Sequence, residues 1–161
     1  MFKIRTSHKS DLAAVDALLS RAYPKLLKAD YAPSVLVTSL PLISRAQPAL
    51  LECGSYYVAE AWDGRILGAG GWTPDPEQSG LGHIRHVVTD DRQVRKGVGS
   101  GLMKHCFGQA QAEGFNRLEC WSTITAVSFY SALGFAEIGP MDVQLQPGVS
   151  FPAVQMLRLL S

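Results

Sequence analysis

Charge of one sign is nearly absent as an excess: 15 Lys and Arg face 14 Asp and Glu across 161 residues, a formal net charge of +1. Proteins that neutralise a phosphate backbone usually carry a large basic surplus, so nucleic acid is not an expected partner. No stretch approaches the ~20 apolar residues of a membrane-spanning helix, and no membrane partner is expected. The opening residues, Met1-Phe2-Lys3-Ile4-Arg5, lack the long apolar core of a secretory signal. Cysteine is scarce too. Cys53, Cys106 and Cys120 are odd in number and far apart, which fits neither a disulfide framework nor a zinc site. They suit a reducing, cytoplasmic compartment and are expected as buried free thiols. His8 and His105 have no ligand-like neighbours in sequence, so no metal is expected. The chain holds no internal repeat, low-complexity tract or linker. What remains is an ordinary globular composition, 47% hydrophobic, long enough for one domain spanning residues 1–161.

Patterning along the chain predicts a mixed α/β sheet with helices on both faces. Residues 2–5 alternate and read as a first strand. Ser10 can cap a following helix with Asp11 in its first turn, and Pro24 is expected to end it. Residues 24–54 are the least regular part; apolar residues from 35 to 43 are interrupted by Pro41, and one or two short helices are expected. Asp63-Gly64 between two β-rich runs, 56–62 and 65–72, predicts a tight hairpin. Residues 81–89 form the next strand, and a helix follows with Val98, Leu102, Cys106 and Ala110 on one stripe beside Met103 and Phe107. Gly114 stops that helix. Strands are expected at 115–121, at 135–146 with an interruption at Pro140, and at 154–160. Trp62, Trp72 and Trp121 are expected in the core or lining a pocket.

The most informative segment is residues 84–101, IRHVVTDDRQVRKGVGSG. A β-branched run enters a basic, glycine-rich turn and a helix begins at once. Helix N-terminal amides lack intrahelical partners and the helix dipole favours negative charge there, so this order suits a pyrophosphate. Gly97, Gly99 and Gly101 permit close backbone approach, while Arg92, Arg95 and Lys96 supply positive charge. A Walker-type loop is excluded because its lysine would be misplaced at Lys104, and a dinucleotide fingerprint fails because Leu102 stands where the third glycine belongs.

Arg95-Lys96-Gly97-Val98-Gly99 resembles the acyl-CoA pyrophosphate loop of the GNAT superfamily of N-acetyltransferases, with Val94 where Gln or Arg is usual and Asp91 where proline is common. Ala126-Val127-Ser128-Phe129-Tyr130 with Leu133-Gly134-Phe135 resembles the second GNAT signature, with Thr123 in place of the usual Asn. The two signatures cover residues 81–139. This resemblance implies a GNAT-like central sheet of six to seven strands with a splay between the fourth and fifth, where acetyl-CoA, the co-substrate, would lie. It implies main-chain contacts to the cofactor from Val87, Val88 and Thr89. It also implies anion contacts from Arg95, Lys96, Gly97, Val98, Gly99 and Ser100, and a contact from Thr123. Acceptor selection falls to residues 24–54, and a homodimer is open because the family often forms one.

Acetyl transfer to an amine needs a neutral nucleophile, a stabilised oxyanion and a proton for the departing thiolate. The resemblance assigns Tyr130 as the acid, and a phenol with pKa near 10 is protonated at neutral pH. It assigns the oxyanion donor to a backbone amide near Val88. A lysine-like amine is neutral in only about one molecule in two thousand at pH 7, so a base or water relay is expected. His83, His86 and Glu119 are candidates, with Asp90 behind them. Tyr23, Tyr31, Tyr56 and Tyr57 are candidates for shaping the acceptor site, and the scarcity of acids in 24–54 suggests a partly apolar acceptor. The expected activity is transfer from acetyl-CoA to a primary amine of a small molecule or peptide; the alternative is a catalytically silent acyl-CoA-binding regulatory module.

Overall fold

The computed structural model describes residues 1–93 and 96–160; Val94, Ser161 and the assigned cofactor contact Arg95 lie outside the described residues. Its strands are β1 (Phe2–Thr6), β2 (Tyr56–Ala61), β3 (Ile66–Pro74), β4 (Leu81–Thr89), β5 (Arg117–Thr123), β6 (Ala136–Gln146) and β7 (Val149–Leu159). The helices are α1 (Leu12–Leu27), α2 (Pro33–Ile43), α3 (Pro48–Leu51), α4 (Val98–Ala112) and α5 (Val127–Ala132). The strands form one sheet in the order β1-β2-β3-β4-β5-β7-β6, antiparallel except for the parallel β4–β5 pair. This is the expected mixed α/β architecture.

Strand alternation divides the core between the two faces. On β2, Tyr57, Ala59 and Ala61 face the α4 stripe of Val98, Leu102, Met103 and Cys106, a cluster that also takes in Tyr130 of α5. Tyr56 and Val58 face the other way, onto Val15, Leu18, Leu19 and Ala22 of α1. Each fully buried aliphatic side chain contributes roughly 1.5–3 kcal/mol. Three glycines let the layers close: a Cβ on Gly68 would lie 2.7 Å from Val98 Cγ1, one on Gly82 would lie 2.8 Å from Leu118 Cδ2, and one on Gly71 would lie 2.3 Å from the Ser55 carbonyl oxygen.

Several expectations are corrected. Pro24 does not end α1, which continues to Leu27, and Pro41 lies within α2. Tertiary packing overrides the proline penalty: Leu27 is buried against Tyr31, Leu36 and Phe151. Ser10 is not the cap; a 3₁₀ turn at Lys9–Asp11 precedes α1, and Asp11 Oδ2 accepts from the His8 amide at 2.7 Å. Trp62 is 86% exposed rather than packed, and Cys53 is exposed while Cys106 and Cys120 are buried. The hairpin at Asp63-Gly64, the strand at 81–89 and the stop at Gly114 (φ 91°) stand as expected.

Two irregularities position the site. β4 and β5 pair only at Leu81–Arg117, Gly82–Leu118 and His83–Glu119, then diverge. That is the expected splay. Three residues further along, β4 bulges: Arg85 pairs with Gly71 and Val88 with Ala69, so His86 and Val87 together oppose Gly70. His86 takes φ 49°, a conformation non-glycine residues rarely adopt and one concentrated at functional sites.

Paired substitutions test the packing. Gly71→Ala meets backbone at Ser55 and Tyr56 and should lose at least about 2 kcal/mol in urea unfolding. Gly108→Ala, in an exposed position of α4 with nothing within 4 Å of the added Cβ, should gain up to about 1 kcal/mol.

Candidate active site

The turn into α4 builds the candidate anion-binding end of the site. Gly97 caps the helix with φ 81° and ψ 4°, left-handed values that glycine adopts without strain. Gly101 donates the first intrahelical bond, to the Gly97 carbonyl at 2.9 Å. Among the described residues, the amides of Gly97, Val98, Gly99 and Ser100 find no acceptor. The Lys96 amide differs, donating to the Gln93 carbonyl at 3.2 Å, so Lys96 is left with its exposed side chain for an anion. Gly99 backs onto Thr89 and Phe129, at 3.2 and 3.1 Å from a notional Cβ, which brings the helix N-terminus against the end of β4.

The splay opens a narrow cleft of about 330 Å³, lined on one side by Ile84, His86, Val87, Val88 and Thr89 and on the other by Cys120, Trp121, Thr123, Thr125, Phe129 and Tyr130. It therefore joins five of the assigned residues: Val87, Val88, Thr89, Thr123 and Tyr130. Thr123 Oγ1 is committed locally, accepting from the Ala126 amide at 3.2 Å. Thr125 Oγ1 is buried without a partner among the described residues. A buried hydroxyl of that kind needs an acceptor or donor from a ligand or water, which fits a cleft that holds a polar chain such as pantetheine. Burial pushes the Tyr130 phenol well above its usual pKa, with the neighbouring Cys120 thiol acting in the same direction. The same burial drives Cys120 up to about 12.

A second, wider cleft of about 660 Å³ lies toward α2, α3 and the β6–β7 hairpin. Tyr23, Ile84, His86, Trp121 and Thr123 line both clefts and form their common wall. Of the candidate acceptor-site tyrosines, only Tyr23 lines this cleft. Tyr31 stacks on Phe151, Tyr57 is in the core, and Tyr56 reaches through to the bulge. Tyr56 donates to the His86 carbonyl at 2.7 Å, and Tyr23 donates to the Val87 carbonyl at 2.9 Å. Two phenols thus satisfy carbonyls that the bulge removes from regular pairing.

The base candidates separate by geometry. His83 sits where the splay begins, its Nε2 2.7 Å from Asp75 and its Nδ1 3.1 Å from Glu119; the other Glu119 oxygen accepts from Gln155. The partner carboxylate Asp75 is held near pKa 2, chiefly by its hydrogen bond from His83. Both ring nitrogens are occupied, and neither His83 nor Glu119 lines either cleft. His86 differs. Its Nε2 lies 2.7 Å from the carbonyl of Ile43, one of the orphan carbonyls closing α2. A carbonyl only accepts, so the hydrogen-bond network assigns the proton to Nε2 and leaves Nδ1 as the acceptor. Burial lowers its pKa from 6.5.

A family profile described as an acetyltransferase (GNAT) domain matches residues 41–156. The chain belongs to the GNAT acetyltransferases. Solved structures agree on the fold. A GCN5-related N-acetyltransferase from Rhodopseudomonas palustris superposes with TM-score 0.78 at 18% identity, covering 99% of this chain and 96% of that one. PaiA N-acetyltransferase from Thermoplasma acidophilum, solved with coenzyme A, gives 0.74 at 12% identity and 99% of both chains. YncA from Salmonella typhimurium, solved with acetyl-CoA, gives 0.71 at 17% identity, over 100% of this chain and 95% of that one. No curated protein matches significantly. No helix among the described residues is long and apolar enough to cross a membrane.

In this GNAT enzyme the turn ahead of α4 hangs on a buried carboxylate that residue pattern alone placed behind the base. Asp90 is 2% exposed; it accepts from the Arg92 amide at 2.9 Å, from the Arg92 guanidinium, and from Arg21 of α1 at 2.9 Å. Burial by itself raises its pKa, but the bonds from Arg92 and the charge of Arg21 outweigh burial and leave it near 2. A carboxylate depressed from 3.8 to about 2 contributes about 2 kcal/mol of stability above pH 4, lost as pH falls through 2. Asp90→Asn should accordingly lower unfolding free energy at pH 7 by about that amount, with the gap to wild type closing in the acid range.

Proposed function

We propose that this acetyltransferase moves the acetyl group of acetyl-CoA to a primary amine of a small molecule or peptide by direct attack. The carrying observation is the meeting of two clefts at one shared wall, with Tyr130 on the narrow side and His86 on both. Acetyl-CoA supplies an activated thioester. The amides of Gly97, Val98, Gly99 and Ser100, which find no acceptor among the described residues, hold its diphosphate with the Lys96 side chain and Arg95. Val87, Val88 and Thr89 align its arm, Thr123 and Thr125 border it, and an amide near Val88 faces the developing oxyanion.

His86 Nδ1 takes the amine proton as the new N–C bond forms. The C–S bond breaks, and Tyr130 gives its proton to the departing thiolate. Desolvation keeps that phenol protonated across the working pH range, as a general acid requires. Cys120 is an unsuitable acyl carrier, since a thiol near pKa 12 is not a thiolate at neutral pH. Residues 24–54 select the acceptor, residues 81–139 hold the cofactor and chemistry, and the two buried thiols fit a cytoplasmic setting.

Tyr130→Phe should cut turnover by roughly 10²–10⁴ with little change in acetyl-CoA affinity; unchanged turnover would remove the acid role. At saturating amine, kcat should fall as pH drops below the lowered His86 pKa, hence below 6.5. His86→Gln should abolish that acidic limb, and a limb that survives assigns the proton elsewhere.

A further inference from the structure

The wider cleft carries fixed charge of one sign. Among its described lining residues Arg85 is the single permanently charged side chain, and the lining includes neither Asp nor Glu. Much of the remaining wall is hydrocarbon, from Leu42, Ile43, Val143, Leu145 and Phe151. A polycationic acceptor would meet a repelling guanidinium there and no compensating carboxylate.

Arg85 is also oriented. Its Nε donates to Thr73 Oγ1 at 2.8 Å, which fixes the plane of the guanidinium and leaves the Nη1/Nη2 edge without an acceptor among the described residues. That edge matches a carboxylate in the bidentate manner. In a regular strand Arg85 and His86 would face opposite sides of the sheet. The bulge cancels that alternation, and both residues line the same cleft. An anion-binding edge and the group assigned to the attacking nitrogen therefore come from consecutive residues and open on one cleft. An α-amino acid carries the two complementary groups, a carboxylate and an amine, on a single carbon.

We propose that the acceptor is an apolar α-amino acid. Its carboxylate rests on Arg85, its side chain lies against Val143, Leu145 and Phe151, and its amine points to His86. This rests on the transferase reading given above.

The test is CoA release at saturating acetyl-CoA with phenylalanine, leucine, phenylalaninamide, phenethylamine and spermidine. The free amino acids should exceed the amide and phenethylamine by at least about tenfold in kcat/KM. Arg85→Ala should remove about ten- to a hundredfold from phenylalanine and far less from phenethylamine, while Arg85→Lys retains part of the preference. A calorimetric arm measures N-acetylphenylalanine binding to the CoA-loaded protein, which Arg85→Ala should abolish. Phenethylamine or spermidine performing as well as phenylalanine, or an Arg85→Ala enzyme with the same preference, overturns the inference and leaves the transferase standing. No release with any amine while acetyl-CoA binds overturns both.

Discussion

The parting of β4 from β5 is the constraint on which the remaining architecture depends. A sheet interior normally satisfies every main-chain N–H and C=O, and two strands that separate inside it leave rows of such groups unpaired. The structure meets this demand in stages. His83, bonded to Asp75 on one side and Glu119 on the other, seals the point of divergence with side chains. Beyond it, Tyr56 and Tyr23 take up two carbonyls of the bulged strand. The rest of the opening is an edge that an extended ligand can complete.

The bulge at His86 has costs and uses that belong together. A left-handed non-glycine residue is unfavourable by roughly 1–3 kcal/mol and persists only where its surroundings over-determine it. Here they do: its carbonyl is held by Tyr56, its ring by the last carbonyl of α2, and its strand partner is Gly70, which leaves Val87 room. The same distortion ties α2 to the central strand. A local irregularity thus links the two halves of the site mechanically.

Features that depend on neighbours in sequence were readable from the residues. The turn at Asp63-Gly64, the αL stop at Gly114, the α4 stripe and the glycine turn at its head are all set within a few positions. Features set by distant partners were not. Pro24 argues for a helix end, and the burial of Leu27 against Phe151, far along the chain, explains why α1 persists. The bulge has no signature in β4 itself, because it arises from register against Gly70 and Gly71. Arg85 therefore reads as an ordinary strand residue, Trp121 lines a pocket as expected, and Asp90, set behind the base candidates in the sequence, is a brace.

The three tryptophans occupy three different surroundings. Trp72 is sealed at 1% exposure, Trp62 stands in solvent on a hairpin, and Trp121 is half-exposed on the wall the two clefts share. Occupancy of either cleft changes the polarity around one indole and leaves the other two as they were. The protein thus carries an intrinsic optical reporter: its emission spectrum should register each ligand's arrival without any attached dye.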